Sequence, residues 1–221
     1  MIICLDGIDG AGKTAQTVLL QVYLLSKGHN VVILKPFHFV GLGLKKFSDK
    51  MRKLTSLFKQ AQIRNYRTGL SAHVKTPLVT VYVTNLALLL LVIINLKFEI
   101  IISRIIYGAN VIIIYDRFYF DKLIPVNKIW YRIFYAILKH VINESCVILD
   151  VPTSIAYKRM KDVYDKLMSK KHYDTLRKWY KIYAKLLGFP IINTSHLSLL
   201  ETHALIISIF ENMIRKKGND T

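Results

Sequence analysis

Acidic residues are scarce in this chain. Its 221 residues hold 14 Asp and Glu against 32 Lys and Arg, for a formal net charge of +18. A chain so short of carboxylates favours anionic partners, whether nucleotides, nucleic acid or an acidic membrane surface. Cysteine is scarcer still. Cys4 and Cys146 are the only two, each inside an apolar run, which excludes a disulfide framework and any cysteine-ligand spacing for a metal. They read as buried thiols in a reducing compartment, so the cytoplasm is the expected location. Low-complexity linkers, internal repeats and composition breaks are also absent. One domain spanning 1–221, large enough to bury a substantial core, is the expectation. Met1 leads straight into a strand-like run, so no signal peptide is expected.

Apolar residues are plentiful at 52% of the chain. Residues 78–96 form a run without a single charge, long enough to be read as a membrane span. Thr80, Thr84, Asn85 and Asn95 interrupt it, and it lies between strand-like segments of what reads as an α/β domain. A helix buried in the fold or across a subunit interface accounts for it without breaking a sheet, and is preferred over membrane attachment.

Gly7-Ile8-Asp9-Gly10-Ala11-Gly12-Lys13-Thr14 is a complete G-x-x-x-x-G-K-[ST] phosphate loop. It follows the apolar run Ile2-Ile3-Cys4-Leu5 and precedes a helix-like stretch over 15–26. Glycine lets backbone N–H groups converge on phosphate oxygens with no Cβ in the way. The helix N-terminus adds partial positive charge. Lys13 can reach β- and γ-phosphates, and the Thr14 hydroxyl is a ligand for Mg²⁺. Binding of a nucleoside triphosphate, with Gly7, Gly10, Ala11, Gly12, Lys13, Thr14 and Ala15 around its phosphates, is the expectation.

Strand-like runs at 2–6, 30–34, 111–116, 146–150 and 189–193 alternate with helical stretches, including 154–168, 173–187 and 198–217. This pattern predicts a P-loop NTPase-type three-layer α/β/α fold with a five-stranded parallel sheet. Ligands in such sheets gather at the carboxyl ends of the strands. Lys35 and Phe37 follow strand two, and Asp116-Arg117 follow strand three. Asp116, closing an apolar run, suits a carboxylate that orients Mg²⁺, or else a turn-forming aspartate. Arg117 can grip phosphate with two parallel hydrogen bonds. Asp150 fits a turn as well as a catalytic role. Asp9 is unusual inside a phosphate loop. A carboxylate beside triphosphate costs Coulomb energy unless it faces a hydrogen-bond donor such as a sugar hydroxyl, or turns to solvent.

The run from Asp6 to Gln16 resembles the opening of thymidylate kinases. Asp116-Arg117-Phe118 is similar to their D-R-Y/F motif, Ile148-Leu149-Asp150-Val151-Pro152 to their L-L-D-V-P, and Leu176-Arg177-Lys178-Trp179-Tyr180 to their V-R-x-x-Y. Asn193-Thr194-Ser195 falls where their adenine-side loop lies. The resemblance implies ATP and Mg²⁺ as cofactors and a nucleoside monophosphate, dTMP first, as acceptor. Lys13 and Arg117 would then handle phosphate charge, Thr14 and Asp116 would hold the metal, and Asp9 would meet the acceptor's 3′-hydroxyl. It also implies a homodimer through the 78–107 helical region.

Three departures concern the substrate. Lys35 stands where the family has arginine, as a point charge without the bidentate fork. On the acceptor helix the basic position falls nearest Lys97, with Ile93 one turn earlier in place of a stacking aromatic; Phe37 or Phe39 could substitute. The lid, about 159–173, is short and rich in lysine, so Arg159 or one of those lysines would supply the finger-like cation, unless the lysines are simply a solvated face. An alternative reading is a kinase-derived ATP-binding protein that contacts nucleic acid.

Overall fold

The computed structural model describes residues 1–35, 78–117, 145–160 and 169–219; for 78–89, 91, 145 and 213–219 it describes the backbone alone. Five strands form one parallel sheet: β1 (Ile2–Asp6), β2 (Val31–Leu34), β3 (Ile112–Asp116), β4 (Ser145–Asp150) and β5 (Ile191–Asn193). Their spatial order is β2-β3-β1-β4-β5. Every residue of β1 and β3 is buried, as expected of parallel strands covered on both faces. This is the P-loop NTPase-type α/β fold expected from the alternation of apolar runs and helices.

Register decides what meets what at the sheet's edge. Leu5 pairs with Asp116 and Asp6 with Ile148, so β1 delivers its loop between the ends of β3 and β4. Cys4 and Cys146 are in-register neighbours on β1 and β4, both free and buried. Burial raises both thiol pKa values, which leaves them unreactive protonated core residues.

The helices are α1 (Lys13–Ser26), α2 (Leu78–Tyr107), α3 (Thr153–Arg159), α4 (Lys170–Leu187) and α5 (Leu199–Asn219). Gly28, Gly108 and Gly188 follow α1, α2 and α4 with positive φ, the left-handed conformation that satisfies a helix's last carbonyls. Ser198 and Glu201 form a reciprocal capping box at α5: Ser198 N–H donates to Glu201 Oε2 at 2.7 Å and Glu201 N–H to Ser198 Oγ at 3.2 Å. These hydrogen bonds hold the Glu201 carboxyl below its ordinary pKa. Helices α1 and α5 pack together. Gln16 Nε2 donates to the Leu199 carbonyl at 2.8 Å, Tyr23 hydroxyl donates to Glu211, and the Tyr23 ring meets His203 edge-on.

Two helix boundaries differ from the sequence reading. The stretch expected as helix over 154–168 stops at Arg159, where Met160 turns to extended backbone; 161–168 lie outside the described residues. Helix α4 starts at Lys170 rather than at Tyr173, because Ser169 accepts a hydrogen bond from His172 N–H and caps an earlier turn.

The packing divides the chain into two compact units. One contains the sheet, α1, α3, α4, α5 and the end of α2 from Ser103; the other includes residues 78–102 of α2. On α2, Val92, Asn95, Leu96, Glu99 and Ser103 are buried, whereas Leu90, Ile94, Phe98, Ile101 and Ile105 are exposed. Three polar side chains therefore share the buried stripe with Val92 and Leu96, while apolar side chains are exposed on the outer face, unlike an ordinary surface helix. Among the described residues no helix is long and apolar enough to cross a membrane; the side chains of 78–89 are outside that statement.

Two glycines test how tightly the loop after β1 is seated. A Cβ on Gly7 would sit 2.2 Å from the Leu149 carbonyl oxygen at φ +144°, whereas Gly28, also at positive φ, has open space around it. Gly28→Ala should cost about 1–2 kcal/mol from backbone strain alone. Gly7→Ala adds a backbone collision and should cost about 3 kcal/mol or more. Denaturant midpoints of the two variants measure the difference; equal losses would mean the loop is not seated on β4.

Candidate functional site

The loop 7–12 leaves β1 with three glycines at positive φ, namely Gly7, Gly10 and Gly12. Gly7 passes against Leu149 of β4 and Gly10 against Ala156 of α3, each too close for a Cβ. The Gly7 N–H is taken by the buried Asp6 carboxylate at 2.8 Å. Gly12 is the N-cap of α1, and no side chain caps that helix. First-turn amides with no side-chain partner, carrying the positive end of the helix dipole, make an anion-binding end.

The two cations of the site are held in waiting. Lys13, 4% exposed, donates from Nζ to the Ile8 carbonyl at 2.7 Å. Burial lowers its pKa, and the nearby Arg117 charge lowers it further against the pull of Asp9, Asp6 and Asp116. Arg117 follows β3 at φ 81°, a left-handed conformation that a non-glycine residue adopts at a cost of about 1–3 kcal/mol. Its N–H still pairs with the Leu5 carbonyl at 3.1 Å. The twist therefore leaves the strand pairing intact and turns the guanidinium to the loop, where Nη2 lies 2.7 Å from Asp9 Oδ1.

Asp9 is the common partner. Arg117 and, at 3.6 Å, Lys13 approach its Oδ1, and Tyr173 hydroxyl donates to its Oδ2 at 3.2 Å. Oδ1 nevertheless has no aligned hydrogen-bond donor. Its charge is compensated by ion pairing alone.

Thr14 and Asp116 come together as the sequence implied. Thr14 Oγ1 donates to Asp116 Oδ2 at 3.0 Å, and Asp116 Oδ1 is buried with no hydrogen-bond partner. A buried carboxylate oxygen without a donor is costly, and a hydroxyl plus a carboxylate is the donor set of a hard cation. These residues fit Mg²⁺. No cluster of three or more His, Cys, Asp or Glu side chains that could hold a metal occurs among the described residues.

On the far side of the loop, Thr194 Oγ1 contacts the carbonyls of Ala11 at 3.4 Å and Asp150 at 3.3 Å. Arg159 is committed here, donating from Nη1 to Thr194 Oγ1 at 3.2 Å and from Nη2 to the Thr194 carbonyl at 2.8 Å. Ala15 lies exposed in the first turn of α1. Lys35 is exposed just beyond β2. Lys97 is exposed on the Ile94 and Ile101 side of α2, in the other unit. Phe37 and most of the lid fall outside the described residues.

Sequence reasoning left Asp150 undecided between turn and catalysis; it anchors α4 instead. Arg177 grips it with Nε at 2.5 Å and Nη2 at 2.9 Å, and Lys181 Nζ lies at 3.0 Å. Tyr173 was missed as a site residue. The available signal was the four-residue spacing of Tyr173, Arg177 and Lys181, which puts them on one face of a helix.

No protein-family model matches the sequence, and no curated protein sequence matches it either. Solved structures do. Deoxyadenosine kinase from M. mycoides with bound dCTP aligns at TM-score 0.51 and 19% identity, over 96% of this chain and 100% of that one. The same enzyme with dCMP and a flexible dCDP bound aligns at TM-score 0.51 and 20% identity, over 96% and 100%. Thymidylate kinase from Ehrlichia chaffeensis aligns at TM-score 0.50 and 20% identity, over 95% and 98%. At these identities the likeness establishes the fold: this chain is built as those P-loop kinases are.

The Asp150 clamp carries a pH signature. Burial opposes the Asp150 charge, but hydrogen bonds from Arg177 and Lys181 and their positive charges outweigh it and hold the carboxyl below its ordinary pKa. A carboxylate depressed in the folded state contributes stability above its unfolded pKa and loses it as pH falls through the folded one. Asp150→Asn should therefore be less stable than the parent at neutral pH, with the gap closing in strongly acid buffer. Denaturant midpoints across pH check this, and a gap independent of pH would contradict it.

Proposed function

We propose that this chain is a nucleoside monophosphate kinase that transfers the γ-phosphoryl group of ATP to a (deoxy)nucleoside monophosphate, with dTMP the first acceptor to test. The observation that carries this reading is the meeting of Lys13, Thr14, Asp116, Arg117 and Asp9 around one phosphate loop. The named activities of the aligned structures support phosphoryl transfer to a nucleoside or nucleotide acceptor, and thymidylate kinase supports a monophosphate.

In the reaction an oxygen of the acceptor phosphate bonds to the γ-phosphorus of ATP while the bond to the β,γ-bridging oxygen breaks, giving a nucleoside diphosphate and ADP. Lys13 and the α1 amides neutralise the triphosphate and follow charge as it moves to the bridging oxygen. Arg117 exchanges Asp9 for phosphate, where a planar guanidinium makes two parallel hydrogen bonds. Asp9, released from that pairing, accepts from the acceptor's sugar hydroxyl. Thr14 and Asp116 would hold Mg²⁺, which would supply further charge neutralisation at the phosphates. Arg159 is proposed as the cation at the base of the lid, at the cost of its two bonds to Thr194. Lys35 is proposed to attract the acceptor phosphate.

A homodimer through α2 belongs to the same proposal. Leu90, Ile94, Phe98, Ile101 and Ile105 are exposed along one side of that helix, an apolar face that a second copy would cover. Two free, buried thiols support a reducing compartment, the cytoplasm.

Turnover should appear as ADP formed only when a monophosphate is present, in a panel of dTMP, dUMP, UMP, CMP, AMP and GMP. Lys13→Ala should lower it by about a hundredfold or more. Asp116→Asn should raise the Mg²⁺ concentration needed for half-maximal rate. ATP binding without turnover on any member of the panel would defeat the kinase reading.

A further inference from the structure

We infer that Tyr173 is a positioning residue: through its hydrogen bond to Asp9, helix α4 sets the carboxylate that receives the acceptor's sugar hydroxyl. The inference rests on the proposed kinase reading and adds to it a residue outside the phosphate loop and the strand ends.

The geometry runs along one face of α4. Tyr173, Arg177 and Lys181 are four residues apart, so their side chains project in one stripe. Arg177 and Lys181 hold Asp150 at the end of β4, and Thr153 Oγ1 donates to Asp174 at 2.5 Å from the start of α3. These ties fix the helix both along its axis and about it. Tyr173, 2% exposed, is thereby aimed at the loop, with its ring held edge-on by Tyr157 at 5.6 Å. Its hydroxyl donates to Asp9 Oδ2.

That bond matters because of what is left on Asp9. A carboxylate can swing about its last torsion, a broad two-fold well. With Tyr173 on Oδ2, the plane is set and Oδ1 points where Arg117 compensates its charge without an aligned hydrogen bond. Once Arg117 turns from Oδ1 to phosphate, one acceptor of fixed direction is left, suited to one hydroxyl donor. Without Tyr173 the carboxylate can rotate toward Arg117 or Lys13 and present that acceptor poorly.

Tyr173→Phe removes the hydroxyl and keeps the ring with its contact to Tyr157. The experiment compares parent and variant with the best acceptor of the panel and with that acceptor's 3′-deoxy counterpart. For the hydroxylated acceptor kcat/KM should fall about tenfold, mostly through acceptor KM, as for loss of one hydrogen bond to a charged group. The KM for ATP should hold, and any drop in the thermal midpoint should leave the variant folded at the assay temperature. The 3′-deoxy acceptor, already poor with the parent, should lose nothing further. Equal losses on both acceptors would make Tyr173 merely structural and overturn the inference, as would no loss on either. A parent with no turnover on any acceptor defeats the kinase reading and the inference together; a working parent whose Tyr173→Phe variant still discriminates between the two acceptors as the parent does defeats the inference alone.

Discussion

Backbone pressed against backbone is the constraint on which this site rests. The loop after β1 touches Leu149 through Gly7 and Ala156 through Gly10 at distances that leave no space for any side-chain atom. Interiors pack as solids do, so a loop seated this way cannot drift from the ends of β3 and β4. The seat brings Thr14 to Asp116 and Asp9 to Arg117, residues separated by about a hundred positions in the chain. It also turns the N-terminus of α1 outward, with its amides clear of side-chain caps.

Electrostatics supports the proposed anion-binding role of this arrangement. Asp6, Lys13 and Asp116 are buried, and Asp9 partly so. Isolated charges in such a place are expensive, and here each finds an imperfect partner. Lys13 leans on a carbonyl, Arg117 on Asp9 from a strained backbone, and Asp116 keeps one oxygen without a donor. Burial that depresses the Lys13 pKa is a penalty on its charge, and a polyphosphate placed beside it reverses that penalty. Strain and incomplete pairing at one spot mark a site whose best partner is a ligand.

Much of this was legible in order along the chain. The glycine spacing and Lys13-Thr14 identify a phosphate loop because few other backbones need that pattern. Apolar runs ending in Asp6, Asp116 and Asp150 locate three strand ends to within a residue. Helix boundaries near 159–170 were harder, since the lysine-rich segment is helix-compatible throughout and local capping at Ser169 chose the start. Asp150 was ambiguous because a strand-end aspartate looks the same whether it caps a turn or accepts an arginine. Tyr173 was invisible as a site residue because a buried tyrosine on an amphipathic helix is ordinarily core.

The sequence by itself determined the chemistry on offer: a phosphate-binding turn, a hydroxyl and carboxylate for a hard cation, a guanidinium after a strand, and a parallel sheet to hold them. These follow from local backbone needs and from strand and helix periods, which are written in neighbouring residues. Only the tertiary structure decided which side chains face Asp9, that Arg159 binds Thr194, and that α4 is clamped to β4. Such pairings depend on distances across crossovers, and no local rule encodes a distance between residues a hundred and sixty positions apart.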